Sequence, residues 1–322
     1  MNRYDEREPP TTERHEDEPP KRRPRRVHGL DNQPVDPLGE GWDVYHDYKV
    51  EDSWLRPVGS PLVSYRPLYT PQLVTAIGRL YGADDDSVLD FARRWGHLGW
   101  SRVNGDGESD LHPGDPLWWI RSHARGIALC LDVIYLDRQR DWASLPKVLD
   151  KYSSGTPAAI AYGTGEGATE LCLQDLTSPR VVAHKVLTTI ITENLRGIDP
   201  VLDSVERVVG APTFSLSCRA ESPIQAAYWP LAQLALGNLE LARCEECGDY
   251  FVRTDARESF CPPSKRGVEA LLLFAKGRRL TSRCAQRVRA RRAYQRARTL
   301  GMVDSDAAHF PRPPRGPEEY RD

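Results

Sequence analysis

The stretch from Leu241 to Thr299 reads LARCEECGDYFVRTDARESFCPPSKRGVEALLLFAKGRRLTSRCAQRVRARRAYQRART. It combines a group of four cysteines with a strongly basic C-terminal segment. The cysteines are Cys244, Cys247, Cys261 and Cys284. The first two form a CxxC pair, and the sharp turn of such a pair can place both sulfurs on one metal ion. We expect all four to bind zinc, because zinc prefers four tetrahedral ligands and thiolates suit it.

The residues around these cysteines favour a small metal-binding finger. Gly248 follows the CxxC pair directly and tolerates the positive φ angle that such a turn often requires. Residues 250–252 (YFV) read as a short strand, and Phe260 leads back to Cys261, as expected of a hairpin that returns to the first two cysteines. Cys284 would then lie in the first turn of a terminal helix. This expected arrangement is treble-clef-like.

The segment after the third cysteine is basic, since no Asp or Glu occurs between Ala270 and Val303. Guanidinium groups on a helix suit phosphate contact and bidentate recognition of guanine in the major groove. So many like charges predict a polyanionic partner. The residues that we assign to nucleic-acid binding are Arg283, Arg287, Arg289, Arg291, Arg292, Gln295, Arg296 and Arg298.

A helical wheel divides this basic segment into faces. One face carries Arg287, Arg291, Gln295 and Arg298. The opposite side carries Ala290, Ala293, Ala297 and Leu300, and we expect this side to dock on protein. Two other interpretations remain open: the arginines form a solvated helix face, or they offset the negative charge of a zinc tetrathiolate.

The run CEECGDYFVRTDARESFCPP, continued as SRCAQRVRARRAYQR, resembles the CGNR-type zinc-finger proteins. Their finger has a CxxC knuckle, an aromatic strand, a third Cys after an Arg-containing hairpin, and a last Cys that opens an Arg-rich helix. Residues 284–287 (CAQR) stand at the place of the signature tetrad and match it at Cys and Arg only. The resemblance implies a bacterial transcription regulator with a mostly helical domain before the finger.

The chain departs from that family in one respect. The third and fourth cysteines of the family are usually a few residues apart, whereas here Ser264 to Ser282 separate them. Such an insertion is compatible with a shared metal, because the entropy of loop closure grows only logarithmically with loop length. Within the insertion, residues Val268 to Ala275 are expected to form a short apolar helix.

The cysteines also allow alternatives to a metal site. The CxxC pair could be a redox pair, and the thiols could be reduced core residues. A thioredoxin-like redox site would need a helix immediately after the motif, whereas an aromatic strand follows here. The remaining cysteines, Cys130, Cys172 and Cys218, stand singly in apolar surroundings and are expected to be small core residues.

The 322-residue chain has a formal net charge of −2, so its basic character is local. No apolar run approaches the roughly 20 residues that span a bilayer, and the N-terminus does not resemble a signal peptide. We therefore expect a cytoplasmic protein without a membrane partner. Residues 1–40 and 303–322 are rich in Pro and charged residues and are expected to be disordered tails.

Residues 41–240 read as a mostly helical domain with one or two small β-hairpins, and residues 241–302 as the finger with its basic helix. The expected fold class is thus mainly α with small β elements (α+β). Helices are predicted to begin at Thr70, Asp84, Asp115, Ser144, Ser178 and Ser222. Hairpins are predicted within residues 157–173 and 201–218. Residues 41–69 show no clear periodicity.

These patterns predict a zinc-dependent nucleic-acid-binding protein, specifically a DNA-binding transcription regulator, with DNA favoured over RNA. The helical domain would sense a small-molecule effector or form a homodimer. The alternative is a protein-interaction or RNA-associated module whose zinc is purely structural. No enzyme is predicted, because the histidines are scattered and neither HExxH nor GxSxG occurs. Those histidines include His97, His112, His123 and His184.

Overall fold

A long antiparallel hairpin, which the sequence did not indicate, is the first element that the structure describes. Strand β1 (Trp42–Glu51) pairs with β2 (Trp54–Tyr65). Asp52 and Ser53 join the strands with φ angles of 51° and 63°, as in the two-residue turns that match strand twist. The register shifts on either side of Tyr45 interrupt the alternation of apolar and polar residues. This interruption removed the period-two pattern that would have predicted the strands.

The computed structural model describes residues 42–104, 114–153, 159–162, 169–172, 178–196, 198–205, 213–262 and 282–299. Both expected terminal tails lie outside these described residues. So do the loop expected between the first pair of small strands, at 163–168, and the apolar helix expected within the insertion.

The helices of the chain before the finger begin close to their predicted starts. They are α1 (Gln72–Gly78), α2 (Asp85–Trp95), α3 (Trp100–Asn104), α4 (Leu117–Gln139), α5 (Leu145–Lys151), α6 (Pro179–Leu195) and α7 (Pro223–Leu236). Asp84 caps α2, because its carboxylate accepts a 2.9 Å hydrogen bond from the backbone N–H of Ser87. Gly237 ends α7 with a φ of 84°. Every predicted helix before the finger is confirmed, whereas α3 was not predicted.

The start of α1 differs in detail from its prediction. The hydroxyl of Thr70 donates to the carbonyl of Arg66 at 3.0 Å and does not cap the helix. The helix ends at Gly78. A residue type that favours a cap is therefore not sufficient by itself to form one.

The remaining strands are short and antiparallel. Strand β3 (Asp115–Pro116) adds to β2, β4 (Ala159–Tyr162) pairs with β5 (Thr169–Cys172), β6 (Asp199–Val205) pairs with β7 (Thr213–Arg219), and β8 (Glu240–Arg243) pairs with β9 (Tyr250–Arg253). The two predicted hairpins are confirmed. The mixture of helices and antiparallel strands confirms an α+β fold.

Helix α4 lies at the centre of the core and contacts α1, α6 and α7. Residues 126–134 are all buried, so this part of α4 is surrounded by other elements and does not bury only one face. Trp119 is fully buried, whereas its neighbour Trp118 is 44 % exposed. The two adjacent tryptophans at the start of α4 therefore lie in different environments.

The side chain of Asp115 binds the backbone at the start of α3. Its buried carboxylate accepts hydrogen bonds from the backbone N–H groups of Gly99 at 3.0 Å and Trp100 at 2.9 Å, and also from Leu98. Three donors compensate the carboxylate for the loss of water. Asp115 therefore links the start of α4 to the start of α3. Its position in the sequence predicted only that it begins α4.

The β8–β9 hairpin places one face on the core and the other on the cysteines. The cross-strand pair Leu241 and Val252 joins the main hydrophobic core. The next pair, Ala242 and Phe251, points to the opposite side and packs with the cysteine cluster. Gln72 of α1 also holds the hairpin, since the backbone N–H of Val252 donates to its side-chain oxygen at 3.1 Å. The hairpin that carries the cysteine cluster is therefore packed directly against the helices.

Below, "the body" denotes the described residues 42–239, and "the finger" denotes residues 240–262 together with the final helix α8 (Arg283–Thr299). Within the described part of the chain, no helix is both long enough and apolar enough to cross a membrane.

Candidate metal centre and basic helix

Four sulfur atoms converge on one side of the β8–β9 hairpin. The Sγ atoms of Cys244, Cys247, Cys261 and Cys284 all lie within 4.8 Å of one another. Those of Cys247 and Cys261 are 3.4 Å apart. This spacing would let a single ion contact all four sulfurs. The structure therefore brings the four predicted ligands together as a group that could hold a metal ion, and it includes Cys284 despite the long insertion.

The knuckle, residues Cys244–Gly248, has the tight backbone that the sequence indicates. The N–H of Gly248 donates to the carbonyl of Cys244 at 2.9 Å, and the N–H of Cys244 donates to the carbonyl of Asp249 at 2.9 Å. Gly248 has a φ of 76°, in the left-handed region that favours glycine. The turn points the sulfurs of Cys244 and Cys247 toward the same centre.

Two further contacts bring the other cysteines to the knuckle. The backbone N–H of Glu245 donates to the carbonyl of Ser259 at 3.0 Å, which holds the segment with Cys261 beside the turn. Ser282 lies directly before α8, and its hydroxyl accepts a 3.4 Å hydrogen bond from the N–H of Ala285, as an N-cap does. Cys284 is thus in the first turn of α8, as predicted.

The environment changes the pKa values of Cys247, Cys261 and Cys284 in different directions. A hydrogen bond from Cys261 lowers the pKa of Cys247 to about 6. The same hydrogen bond, together with burial, raises the pKa of Cys261 above its ordinary value. Burial and the nearby Cys247 raise the pKa of Cys284 to about 12. One thiolate is favoured in this cluster, and its charge opposes the formation of a second one beside it.

A divalent cation at the centre would remove this opposition, because its charge stabilises every adjacent thiolate. The CxxC pair also shares its cluster with two additional sulfurs, which a dithiol redox pair does not require. Among the described residues, no other group of three or more His, Cys, Asp or Glu side chains lies close enough together to share an ion. The chemistry of the donor set therefore fits a metal site.

The other cysteines and the histidines lie away from this cluster. Cys130 is fully buried in α4, as expected of a core residue. The side chains of Cys172 and Cys218 lie outside the described part of the structure. Two histidines, His97 and His123, are buried in the body. His184 faces Asp137 at the surface, at 3.0 Å, and His112 falls outside the described residues.

The predicted nucleic-acid-binding side chains do not all face solvent. The exposed ones are Arg283, Arg287, Arg289, Arg292, Gln295 and Arg296. Arg291 differs, because its guanidinium donates to the carboxylate of Glu246 in the knuckle. The side chain of Arg298 lies outside the described part of the helix.

The position of Arg291 determines how α8 is rotated. At about 100° per residue, the side chains of Arg289, Arg292 and Arg296 lie about 160°, 100° and 140° around the helix axis from Arg291. We call these three arginines the outward stripe. Ala290 and Ala293 are exposed, so the expectation that the alanine side docks on protein is wrong for these two residues. Cys284 and Arg291 face the rest of the finger instead. They lie on a side of the helix different from that of the alanines.

Arg79 is a residue of the body that reaches the cysteine cluster, and no sequence pattern indicates it. Its guanidinium donates to the carbonyl of Tyr250 at 2.9 Å and lies 3.4 Å from the carboxylate of Asp249. One of its nitrogens is 3.9 Å from the sulfur of Cys261. A positive charge beside thiolates stabilises them. No local pattern could reveal this contact, because Arg79 and Cys261 are 182 residues apart.

Comparison with known proteins returned no match. No family model matches the chain, and neither a curated protein nor a solved structure matches it. The resemblance to CGNR-type zinc-finger proteins therefore depends on the cysteine and arginine pattern alone.

Proposed function

We propose that this chain is a zinc-dependent nucleic-acid-binding protein, and more narrowly a DNA-binding transcription regulator of the kind that the CGNR-type resemblance implies. One observation carries the proposal: the outward stripe and one cysteine of the cluster lie on the same helix. Cys284 begins α8, and Arg289, Arg292 and Arg296 follow on its solvent side. A metal held by the cluster would fix the helix that presents these arginines.

Zinc is the metal that the donor set supports best. Four thiolates form closed tetrahedral sites for zinc, with Zn–S distances of about 2.3 Å and therefore sulfur–sulfur distances of about 3.8 Å. The cluster has one pair at 3.4 Å and all pairs within 4.8 Å. A site with four protein ligands leaves no open position for substrate, which favours a structural role. The hairpin followed by a ligand-bearing helix supports a treble-clef-like finger.

The outward stripe is suited to a polyanion. No carboxylate in the described part of the chain forms an ion pair with Arg289, Arg292 or Arg296. Along a helix that rises about 1.5 Å per residue, the stripe extends over about 10 Å. Three uncompensated guanidinium groups on one face repel one another unless phosphates neutralise them. This charge favours nucleic acid over a neutral protein surface.

Duplex DNA is favoured over duplex RNA by the shape of the element. The major groove of B-form DNA, about 12 Å wide, admits an α-helix, whereas the major groove of A-form RNA is too narrow. Arginine also makes the commonest specific contact in that groove, with guanine. An exposed helix with arginines on its outward face therefore suits DNA.

The test is the salt dependence of binding by the zinc-loaded, full-length protein, measured by fluorescence anisotropy with duplex DNA and with structured RNA of equal length. If about six phosphates are neutralised, the slope of log affinity against log salt should be near −5 for DNA. Replacing the outward stripe (R289Q, R292Q and R296Q) should reduce the steepness by about 2.7, or about 0.9 for each phosphate contact. The control replaces three exposed cations of the body, Arg140, Lys147 and Arg196, with Gln and should leave the slope unchanged.

The other outcomes separate the alternatives. A steep slope with RNA and a flat one with DNA would favour the RNA-associated module. Flat slopes with both nucleic acids would favour a protein-interaction module whose zinc is structural. Equal losses in the stripe and control variants would mean that the outward stripe is not the binding surface.

A further inference from the structure

A polar cavity of about 350 Å³ lies where the body meets the finger. Helices α1, α4 and α5 form one side, and residues of β8, the knuckle and β9 form the other. The charged side chains in its lining are Arg79, Asp132, Lys151, Arg243 and Asp249. The aromatic ones are Tyr81, Tyr152 and Tyr250. The four cysteines and the outward stripe do not line this cavity, whereas Arg79 and Gly248 belong both to its lining and to the surroundings of the candidate metal centre.

The cavity has one positive charge in excess, because its lining contains three cations and two carboxylates. Arg79 lies 3.4 Å from Asp249, and Lys151 lies 3.2 Å from Asp132. Arg243 is the remaining cation. Within the described chain it has no carboxylate partner, and it lies over the rings of two tyrosines. Those rings belong to Tyr135, at 5.2 Å, and Tyr250, at 4.9 Å.

A network of hydrogen bonds fixes the wall of the cavity in advance. The carboxylate of Asp132 accepts from the hydroxyl of Tyr250 at 2.6 Å, from the hydroxyl of Tyr152 at 2.8 Å and from the ammonium of Lys151. The hydroxyl of Tyr81 donates to the backbone carbonyl of Lys151 at 3.0 Å. Three donors occupy the oxygens of Asp132, so this carboxylate is compensated and does not repel an anion as a free one would.

Aromatic surface accompanies the charge. The rings of Tyr81 and Tyr152 lie 4.7 Å apart at a tilt of 37°, and both line the cavity. Aromatic faces pack against flat apolar groups. The cavity volume is near the lower end of the range for small-molecule sites. A compact ligand of about one ring with its substituents suits this space.

We propose that this cavity binds a small aromatic carboxylic acid as its anion. The carboxylate pairs with Arg243, and the ring packs against Tyr81 and Tyr152. Arg243 belongs to the finger and the two tyrosines belong to the body, so such a ligand bridges the two parts and stabilises the finger in its docked position. The inference goes beyond nucleic-acid binding, since it assigns a ligand class and a site to an effector of the protein.

Isothermal titration calorimetry of the zinc-loaded, full-length protein tests the proposal, with benzoate as the probe. Acetate keeps the charge without the ring, and benzyl alcohol keeps the ring without the charge. We expect saturable binding of benzoate, with acetate and benzyl alcohol each at least about tenfold weaker. Arg243→Gln should weaken benzoate at least about tenfold, because a charged hydrogen-bond donor is lost. Arg257→Gln removes an exposed arginine of the finger that does not line the cavity, and it should bind benzoate like the wild type.

Three results would overturn the proposal: no saturable benzoate binding, equal affinity for benzoate and either control compound, or unchanged affinity in Arg243→Gln. Zinc content and circular dichroism show whether Arg243→Gln is folded. If that variant loses its metal, Tyr81→Leu provides an independent test, since it removes ring contact from the body side and should weaken benzoate more than acetate. DNA is absent from these titrations, so failure here is distinguishable from failure of the proposed nucleic-acid binding.

Discussion

Arg291 on the basic helix pairs with Glu246 in the knuckle, about two turns beyond the cysteine at the start of that helix. The side chains of Glu246 and Arg291 are 11 % and 35 % exposed, so the ion pair is partly shielded from water. A shielded pair is costly to break, because removing one partner leaves the other charge uncompensated. Arg291 therefore orients the helix, while the outward stripe remains open to solvent.

The first prediction contrasts two adjacent arginines. Arg291→Gln should accelerate the loss of zinc to a chromogenic chelator severalfold, because the helix that carries Cys284 loses its second attachment. Arg292→Gln should leave zinc release unchanged and should instead reduce the salt slope of DNA binding by about 1. Glu246→Gln should match Arg291→Gln, and the double variant should be no worse than either single one. Additive effects would show that the two residues do not act through each other.

A second prediction concerns the fourth ligand. The wild type should bind one zinc ion per chain, and Cys284→Ser should weaken zinc at least about tenfold, since even residues behind the ligands contribute that much to metal sites. Metal analysis and competition with a chelator of known affinity provide the measurement. Cys130→Ala changes a buried cysteine outside the cluster and should keep the metal. Wild-type zinc affinity in Cys284→Ser would mean that another group supplies the fourth ligand.

The third prediction is a pH effect centred on His123. Burial lowers the pKa of this histidine to about 3, from an ordinary value of 6.5. The unfolded chain therefore takes up a proton below pH 6.5 that the folded chain refuses until about pH 3. The free energy of unfolding should therefore decrease as the pH is lowered across this window. His123 alone contributes a decrease of up to about 1.4 kcal/mol per pH unit.

Urea denaturation of the wild type and of His123→Gln between pH 4 and 7 measures this effect. The variant loses the partner of the Tyr228 hydroxyl, which lies 2.9 Å from the ring nitrogen of His123, so its absolute stability is not the readout. The informative quantity is the slope of stability against pH. This slope is proportional to the number of protons taken up on unfolding. It should be shallower in the variant, because the variant takes up about one proton fewer. Identical slopes would contradict a buried neutral histidine.

The fourth prediction concerns the attachment of the finger to the body. The side-chain amide of Gln72 exchanges two hydrogen bonds with the backbone of Val252. Gln72→Ala should increase amide hydrogen exchange at Val252 about fivefold, because a hydrogen bond of this kind contributes about 1 kcal/mol. Gln233→Ala removes a glutamine of α7 that bonds to Asn238, and it should leave Val252 unchanged. Unchanged exchange in Gln72→Ala would show that packing alone holds the hairpin.

Local patterns predicted much of the fold because helix starts and hairpins are encoded over a few residues. The N-cap Asp84 and the left-handed Gly237 are examples in which the identity of one residue determines a boundary. The β1–β2 hairpin was missed because its register shifts break the alternation on which strand prediction depends. The helix predicted to begin at Thr70 begins at Gln72, and the Thr70 hydroxyl donates to the carbonyl of Arg66 without capping the helix.

The candidate metal ligands could be identified from the sequence, because thiol chemistry belongs to the residue type and the CxxC spacing confines two sulfurs to one turn. Only the tertiary structure decided which arginines of α8 face outward, because the rotation of a helix depends on what its other side contacts. Here those contacts are Cys284 in the cluster and Arg291 against Glu246. The cavity between body and finger is likewise a product of the tertiary structure, since Tyr81 and Arg243 are distant in the chain and meet only through packing.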